Sequence, residues 1–338
     1  MVRAFVFHGI FVVNLFCYSF FLVKRKNNLT CTAYFYSAFI LAEVVTSQEN
    51  FRWKNYFFSF AHLVHYFVIS AMLKNSLIIL LLLFASCKTP HQLVLPERKA
   101  DAIGGNAFYK IIAAMKWNER EPMMINEILS GNVPKFLQRL VPIHVMIKDT
   151  AGKVIHATYF VTPDYLSIGS NNDFARIPMT PMAAQQIADS LHCFLPTRKI
   201  VNDIYIQAKI KLEPLPMFAY RDSAITFYQH HLMIEGQRKG RHGLIAGIKK
   251  DVVISSKITS DPKPNRVAIY GWHKLDGNAI QPLYTGHINW YVDYSHGIRL
   301  VYRVIIIDGK KYDYTELLKN EKLRKLLCDE GDCSFYHY

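Results

Sequence analysis

Acidic residues are scarce in this chain and unevenly placed. Of 26 Asp and Glu in 338 residues, only Glu43 and Glu49 precede residue 87, beside seven Lys and Arg. Without that segment the chain keeps 33 basic and 24 acidic residues, a net charge of +9. Such basicity suits anionic partners, but no RNA- or DNA-binding signature accompanies it, so no nucleic-acid partner is expected. The phosphate-cradling GxxxxGK[ST] and the zinc-binding HExxH are both missing, which excludes a P-loop enzyme and the HExxH metalloproteases. No internal repeat is found. Cysteine is limited to six residues, Cys17, Cys31, Cys87, Cys193, Cys328 and Cys333.

What is abundant is apolar surface, and it is concentrated before residue 87. The whole chain is 51% hydrophobic, with a mean hydropathy of +0.07. In MLKNSLIILLLLFASC, Met72 to Cys87, a lysine precedes nine uninterrupted apolar residues, Leu77 to Ala85, and two small residues precede Cys87. That run is too short to span a bilayer as a helix, which takes ~20 residues, and fits the h-region of a secretory signal peptide. Residues 72–86 are therefore expected to be a signal peptide. The small-small-Cys ending resembles the lipobox of bacterial lipoproteins, with Phe84 where Leu is usual. The resemblance implies lipidation of Cys87, a membrane anchor, and a chain in the cell envelope facing periplasm or exterior. Residues 1–71 are read as an upstream extension or a membrane leader. Ala4 to Val23, followed by Lys24, Arg25 and Lys26, has the length and positive flank of a spanning helix.

Residues 87–104 are polar and read as a tether, residues 105–330 as a single α+β domain, and residues 331–338 as a frayed tail. Helices are expected at Phe108–Trp117 and at Met123–Leu140, the latter broken at GNVP, then at Pro181–Leu191, capped by Thr180, at Pro196–Leu212 and at Ala224–Glu235. Val141–Ile147 and Val154–Val161 flank a hairpin turn at DTAGK. After Gly243 come strands at LIAG, DVVISS, RVAIYGW and IRLVYRVIIIDG, then a helix at Thr315–Leu327. Helices first and strands later, without βαβ alternation, predict a mainly antiparallel sheet. Cys328 and Cys333 are expected to form a small disulfide loop, and Asp164, Asp173 and Arg176 an ion-pair knot.

The chemistry concentrates in IYGWHKLDGNAIQPLYTGHINWYVDYSHGIRL, Ile269 to Leu300. His273, His287, Asp293 and His296 are the candidate acid/base groups, since a carboxylate beside a histidine fixes its tautomer and raises its basicity. His287, Asp293 and His296 also offer themselves as zinc ligands, although the spacing is no recognised metal signature and no metal is assigned. Trp272, Tyr294, Lys249, Lys250 and Arg299 are the candidate substrate-binding residues, the lysines lying in the basic, glycine-rich stretch Gly236 to Asp251. Cys193 is an alternative nucleophile, set just before a helix whose N-terminus, with Arg198 and Lys199, would favour the thiolate; a buried, inert thiol is the competing reading.

LPTRKIVNDIY, GIKKDVVIS, VAIYGWH, IQPLYTGH and YVDYSHGIRLV together resemble an uncharacterised family of secreted bacterial proteins, over roughly residues 105 to 330. YSHGIRL alone is similar to the SHGCIRL motif of L,D-transpeptidases, but lacks the nucleophilic cysteine between Gly297 and Ile298. These readings make the expected function a His/Asp hydrolase-like site acting on an envelope polymer such as peptidoglycan. The alternative is an envelope lipoprotein that binds glycan or a partner, or scaffolds, without turnover.

Overall fold

The computed structural model describes the backbone at residues 4–7, 10–25 and 28–43, and the chain from residue 91 to residue 338. Two units are distinguished, Met1–Lys88 and Thr89–Tyr338. In the first, β1 (Ala4–Phe7), β2 (Ile10–Arg25) and β3 (Asn28–Glu43) form an antiparallel meander. The helix considered over Ala4–Val23 is thus extended backbone instead, in keeping with the strand preference of Val, Phe and Tyr. No helix among the described residues is long and apolar enough to cross a membrane. The signal-peptide stretch 72–86 and Cys87 lie outside the described residues.

The second unit is α+β, as the order of elements predicts. It opens with α1 (Gly105–Ile111), α2 (Trp117–Leu129) and the short α3 (Lys135–Gln138), separated at Gly131–Pro134 as expected. The polar stretch before α1 is not a free tether. From His91 onward it is docked: Leu93 is buried, its N–H donates to Gln138 O, and the His91 ring stacks on Phe160 at 3.7 Å.

Next come the hairpin β4 (Val141–Lys148) and β5 (Val154–Val161), the small ribbon β6 (Ser167–Gly169) and β7 (Phe174–Arg176), and α4 (Pro181–Ser190). Thr180 caps α4 by accepting from Ala183 N, and Pro181 occupies the first turn, where no N–H is needed. After β8 (Cys193–Phe194), α5 (Arg198–Gln207) starts on Thr197 and stops short of the expected Leu212. Ile210–Lys211 leaves the helix to become β9, paired in parallel with β10 (Ile245–Ala246). The long α6 (Ala224–Arg238) follows.

The last third supplies β11 (Lys250–Val253), β12 (Arg266–His273), β13 (Ala279–Ile288), β14 (His296–Gly297), β15 (Val301–Tyr302), β16 (Val304–Ile307), β17 (Lys310–Asp313) and α7 (Tyr314–Lys319). Asp308 and Gly309, both with positive φ, make the two-residue turn between β16 and β17. The C-terminal helix ends at Lys319, well before the expected Leu327; a 3₁₀ turn at Arg324–Leu326 replaces its second half.

Two main sheets result. One has six strands: β5 pairs β4 along one edge, and β15 and β16 along the other, with β17 and β8 outermost. The other has the order β13-β12-β11-β14, antiparallel except for the parallel β11–β14 pair. A shared apolar core including Phe108, Ile187, Phe227, Leu300 and Ile305 is packed among sheets and helices. The ion-pair knot is present with one change of partner. Arg176, fully buried, bonds Asp164 at 2.5 Å and Glu235 at 2.8 Å, while Asp173 instead accepts from Asn106 N.

The chain after Cys328 is docked, not frayed. Cys328 and Cys333 are disulfide-bonded, which turns Glu330 onto Ser255 Oγ at 2.6 Å. Beyond the loop, the Tyr338 hydroxyl donates to Val253 O on β11 and accepts from Ala268 N on β12. Replacing both cysteines by serine is expected to cost about 2 kcal/mol, the closure entropy of so short a loop, in urea denaturation. A reduced wild-type protein as stable as the oxidised one would contradict this.

Candidate functional site

Period-two geometry decides which of the candidate residues meet. Lys250 on β11 is directly opposite His296 on β14, and Asp251 is opposite Gly297. Opposed residues share a face of the sheet, so Lys250 and His296 point to one side, Asp251 to the other. Gly297 carries no side chain because the Tyr165 ring fills that space; a Cβ there would be 2.6 Å from it.

On the Lys250 face, His287, Asp293 and His296 converge. His287 is the last inward-facing residue of β13, an edge strand whose residues alternate half-buried and exposed and which tolerates Pro282 for that reason. The turn after β13 brings the chain back, so that the His287 ring lies 6.0 Å from the His296 ring and 4.8 Å from that of Tyr291. Asp293 is fully buried and ionised. Its Oδ1 accepts from Ser295 N at 2.8 Å and Ser295 Oγ at 2.5 Å, and its Oδ2 from Arg221 Nη2 at 2.7 Å. Burial alone would raise its pKa, but His296, the Ser295 hydrogen bonds and the Lys250 charge outweigh it and hold the carboxyl at about 2.

The His296 Nε2 is 3.9 Å from Asp293 Oδ1, too far for a hydrogen bond. It is buried without a partner. Burial, only partly opposed by Asp293, depresses its pKa to about 4. Burial also lowers that of His287, helped by Lys250 and Arg221. Both imidazoles are therefore neutral at pH 7. His287 is half-buried, and no hydrogen bond to its ring is formed among the described residues, which leaves its nitrogens open to a ligand or water. Ser295 Oγ is spent on Asp293 and buried.

The other expected members are elsewhere. His273 lies at the end of β12, its ring stacked on Tyr205 at 4.5 Å with Nε2 on Asn202 Oδ1 at 3.1 Å. Burial depresses its pKa to about 4. It joins Tyr165, Gly247, Asp251 and Arg299 around a cavity of about 10 Å³, room for one water, too small for a polymer end. Arg299 does not face a ligand: Nη1 and Nη2 donate to Thr162 O and Ile245 O, each at 2.7 Å. Lys249 is buried and donates to Tyr294 O, and burial lowers its pKa to about 7. The Tyr294 hydroxyl accepts from Met217 N at 2.6 Å. The basic stretch is thus no continuous patch, since Arg238 and Arg241 are also tied down, to Glu235 and to backbone carbonyls.

Cys193 is not a nucleophile in this fold. It sits buried on β8, four residues ahead of the Thr197 cap, and its Sγ is 3.3 Å from Leu191 O. Burial drives its pKa strongly upward, away from thiolate. Trp272 does stay with the Lys250 face, its ring 4.7 Å from the Lys250 ammonium. The residue that sequence reasoning missed is Arg221, 72 positions from Asp293 in a linker; nothing in its local sequence marks it. No group of three or more His, Cys, Asp or Glu among the described residues is placed to hold a metal ion.

Comparison with protein-family models, with curated proteins and with solved structures finds no match.

Proposed function

We propose that this chain is a lipid-anchored envelope protein that hydrolyses an envelope polymer such as peptidoglycan, with His287 as general base. The observation that supports this is the convergence of His287, His296 and Asp293, with His287 alone half-exposed and unpartnered. Since the Ser295 hydroxyl is spent on Asp293 and Cys193 is buried elsewhere, the chemistry is addition of water. Neutral His287 takes a proton from the water as it adds to a carbonyl, and returns it to the departing amine. His296 and Asp293 stand behind it as positioning residues. The anchor rests on the Met72–Cys87 sequence alone.

The spent Ser295 hydroxyl and buried Cys193 equally suit the second reading, a surface that binds glycan or a partner without turnover. The two separate in one experiment. Purified peptidoglycan is incubated with the detergent-solubilised full chain and with His287→Ala, and released fragments are quantified by chromatography. A loss of roughly two orders of magnitude in the variant is expected, with unchanged circular dichroism. Because the His287 pKa is held below its ordinary 6.5, the rate should fall only on the acid side of that value. No release by wild type, with the protein retained on the insoluble polymer, would replace hydrolysis by binding.

A further inference from the structure

The basic groups around the same histidines outnumber the one carboxylate among them. Asp293 and Arg221 neutralise each other at 2.7 Å. Lys250 has no such partner: among the described residues no carboxylate lies within 4.0 Å of its ammonium and no hydrogen bond reaches it. Yet Lys250 is only 6% exposed. Burying most of a lysine without a paired anion is costly, and burial, opposed by Asp293 and helped by Arg221, pulls the Lys250 pKa down. Arg221 stands beside it with Nη2 on Asp293 and Nε buried, so the donor open to a ligand is the Lys250 ammonium.

Both cations are held in place by rings. The Arg221 guanidinium lies 5.6 Å from the Tyr294 ring centre, and Lys250 lies 4.7 Å from that of Trp272. Trp272 is seated there at a strained φ of 58°, with its indole N–H donating to Ile248 O at 3.1 Å. A bulky residue in the left-handed region persists only where its surroundings demand it.

We infer that this site takes a carboxylate-bearing substrate, its carboxylate accepting from the Lys250 ammonium beside the Arg221–Asp293 pair. The assignment deepens the proposed function, on which its location rests. An ammonium with no carboxylate partner among the described residues matches an anionic acceptor such as a carboxylate, by a charge-assisted hydrogen bond. A phosphate dianion would overcompensate the site and crowd Asp293. Neutral His287 beside the seat leaves room for the reacting bond next to the anionic group.

The test uses the full chain and two sugars that differ by a lactyl carboxylate, N-acetylmuramic acid and N-acetylglucosamine, with acetate, chloride and inorganic phosphate as competitors. Binding is read by calorimetry and by tryptophan fluorescence, to which Trp272 reports. The acidic sugar should bind at least tenfold more tightly than the neutral one, and acetate should displace it. Lys250→Met should abolish the preference, whereas Lys257→Met at an exposed lysine should not. Equal binding of the two sugars, or displacement by phosphate or chloride in preference to acetate, overturns the inference. So does a preference that survives in Lys250→Met. If that variant fails to fold, the wild-type comparison still decides. Digestion and sugar preference, both read on wild type, keep the two proposals apart. Carboxylate preference without digestion by wild type removes hydrolysis alone, and digestion by wild type without the preference removes the carboxylate seat alone.

Discussion

Replacing Arg176 by methionine is expected to destabilise the protein by about 4 kcal/mol, as removing one member of a buried ion pair does. For a domain of ordinary stability that approaches unfolding. The guanidinium is 1% exposed and joins three elements: it starts on β7, bonds Asp164 with both Nε and Nη2, and reaches Glu235 on α6. Methionine keeps the stem but leaves the Asp164 carboxylate, also 1% exposed, with only the Tyr165 N–H and the charge of Arg299. Arg176 holds that carboxyl below its ordinary pKa despite burial, so in the variant it should pick up a proton. The double replacement Arg176→Met with Asp164→Leu should recover most of the loss, because two apolar groups of similar volume no longer leave a charge unpaired. Urea denaturation of the three proteins measures this. A single variant within 1 kcal/mol of wild type would show that the knot is not structural.

The second large effect is a loss of stability in acid. His296 titrates near 6.5 when free and near 4 when folded, and His230, fully buried, near 2. Between those values the unfolded chain binds the proton and the folded chain refuses it, so stability is whole above pH 6.5 and drains as the pH falls. His296 alone accounts for about 3 kcal/mol of this between pH 6.5 and 4. It is faced by Asp293, His287, Lys250 and Lys249. Asp251 works in the opposite sense: burial raises its carboxyl from 3.8 to about 7, so acidification across that window relieves a strain. Wild type must therefore be compared with His296→Gln, which cannot titrate. Between pH 7 and pH 5 the variant should lose about 2 kcal/mol less than wild type in urea denaturation. Parallel losses would mean that His296 is not kept neutral.

Features that depend on neighbours in the chain were legible in the sequence. Thr180 before Pro181, the hairpin at 149–153, the turn at Asp308–Gly309 and the Cys328–Cys333 loop each declare themselves within a few residues. Elements whose fate is set by distant partners were not. α5 should have run on to Leu212 by its pattern, but Ile210 and Lys211 are claimed by β10 from 35 residues away. β13 is obscured by Pro282, which only an edge strand admits. The candidate site was half visible. His287, Asp293 and His296 lie within one turn and its flanks, so their meeting is a local matter, while His273 belongs to the other face of the sheet. Lys249 and Lys250 read alike as a basic pair, yet one donates inward to Tyr294 O and the other reaches Trp272, because successive residues of an extended chain point to opposite sides. Arg221 has no sequence signal at all.

The route of the chain through the six-stranded sheet bears on how the molecule could be divided. β4, β5 and β8 precede the exposed segment around Phe218 and Tyr220, whereas β15, β16 and β17 follow it. A single backbone cut there would leave each fragment with half a sheet and an open edge beside β5. The core is shared across the cut, and the register Ile306↔Thr158 and Val301↔Val161 specifies how the fragments mate. The two pieces are thus natural halves for reconstitution.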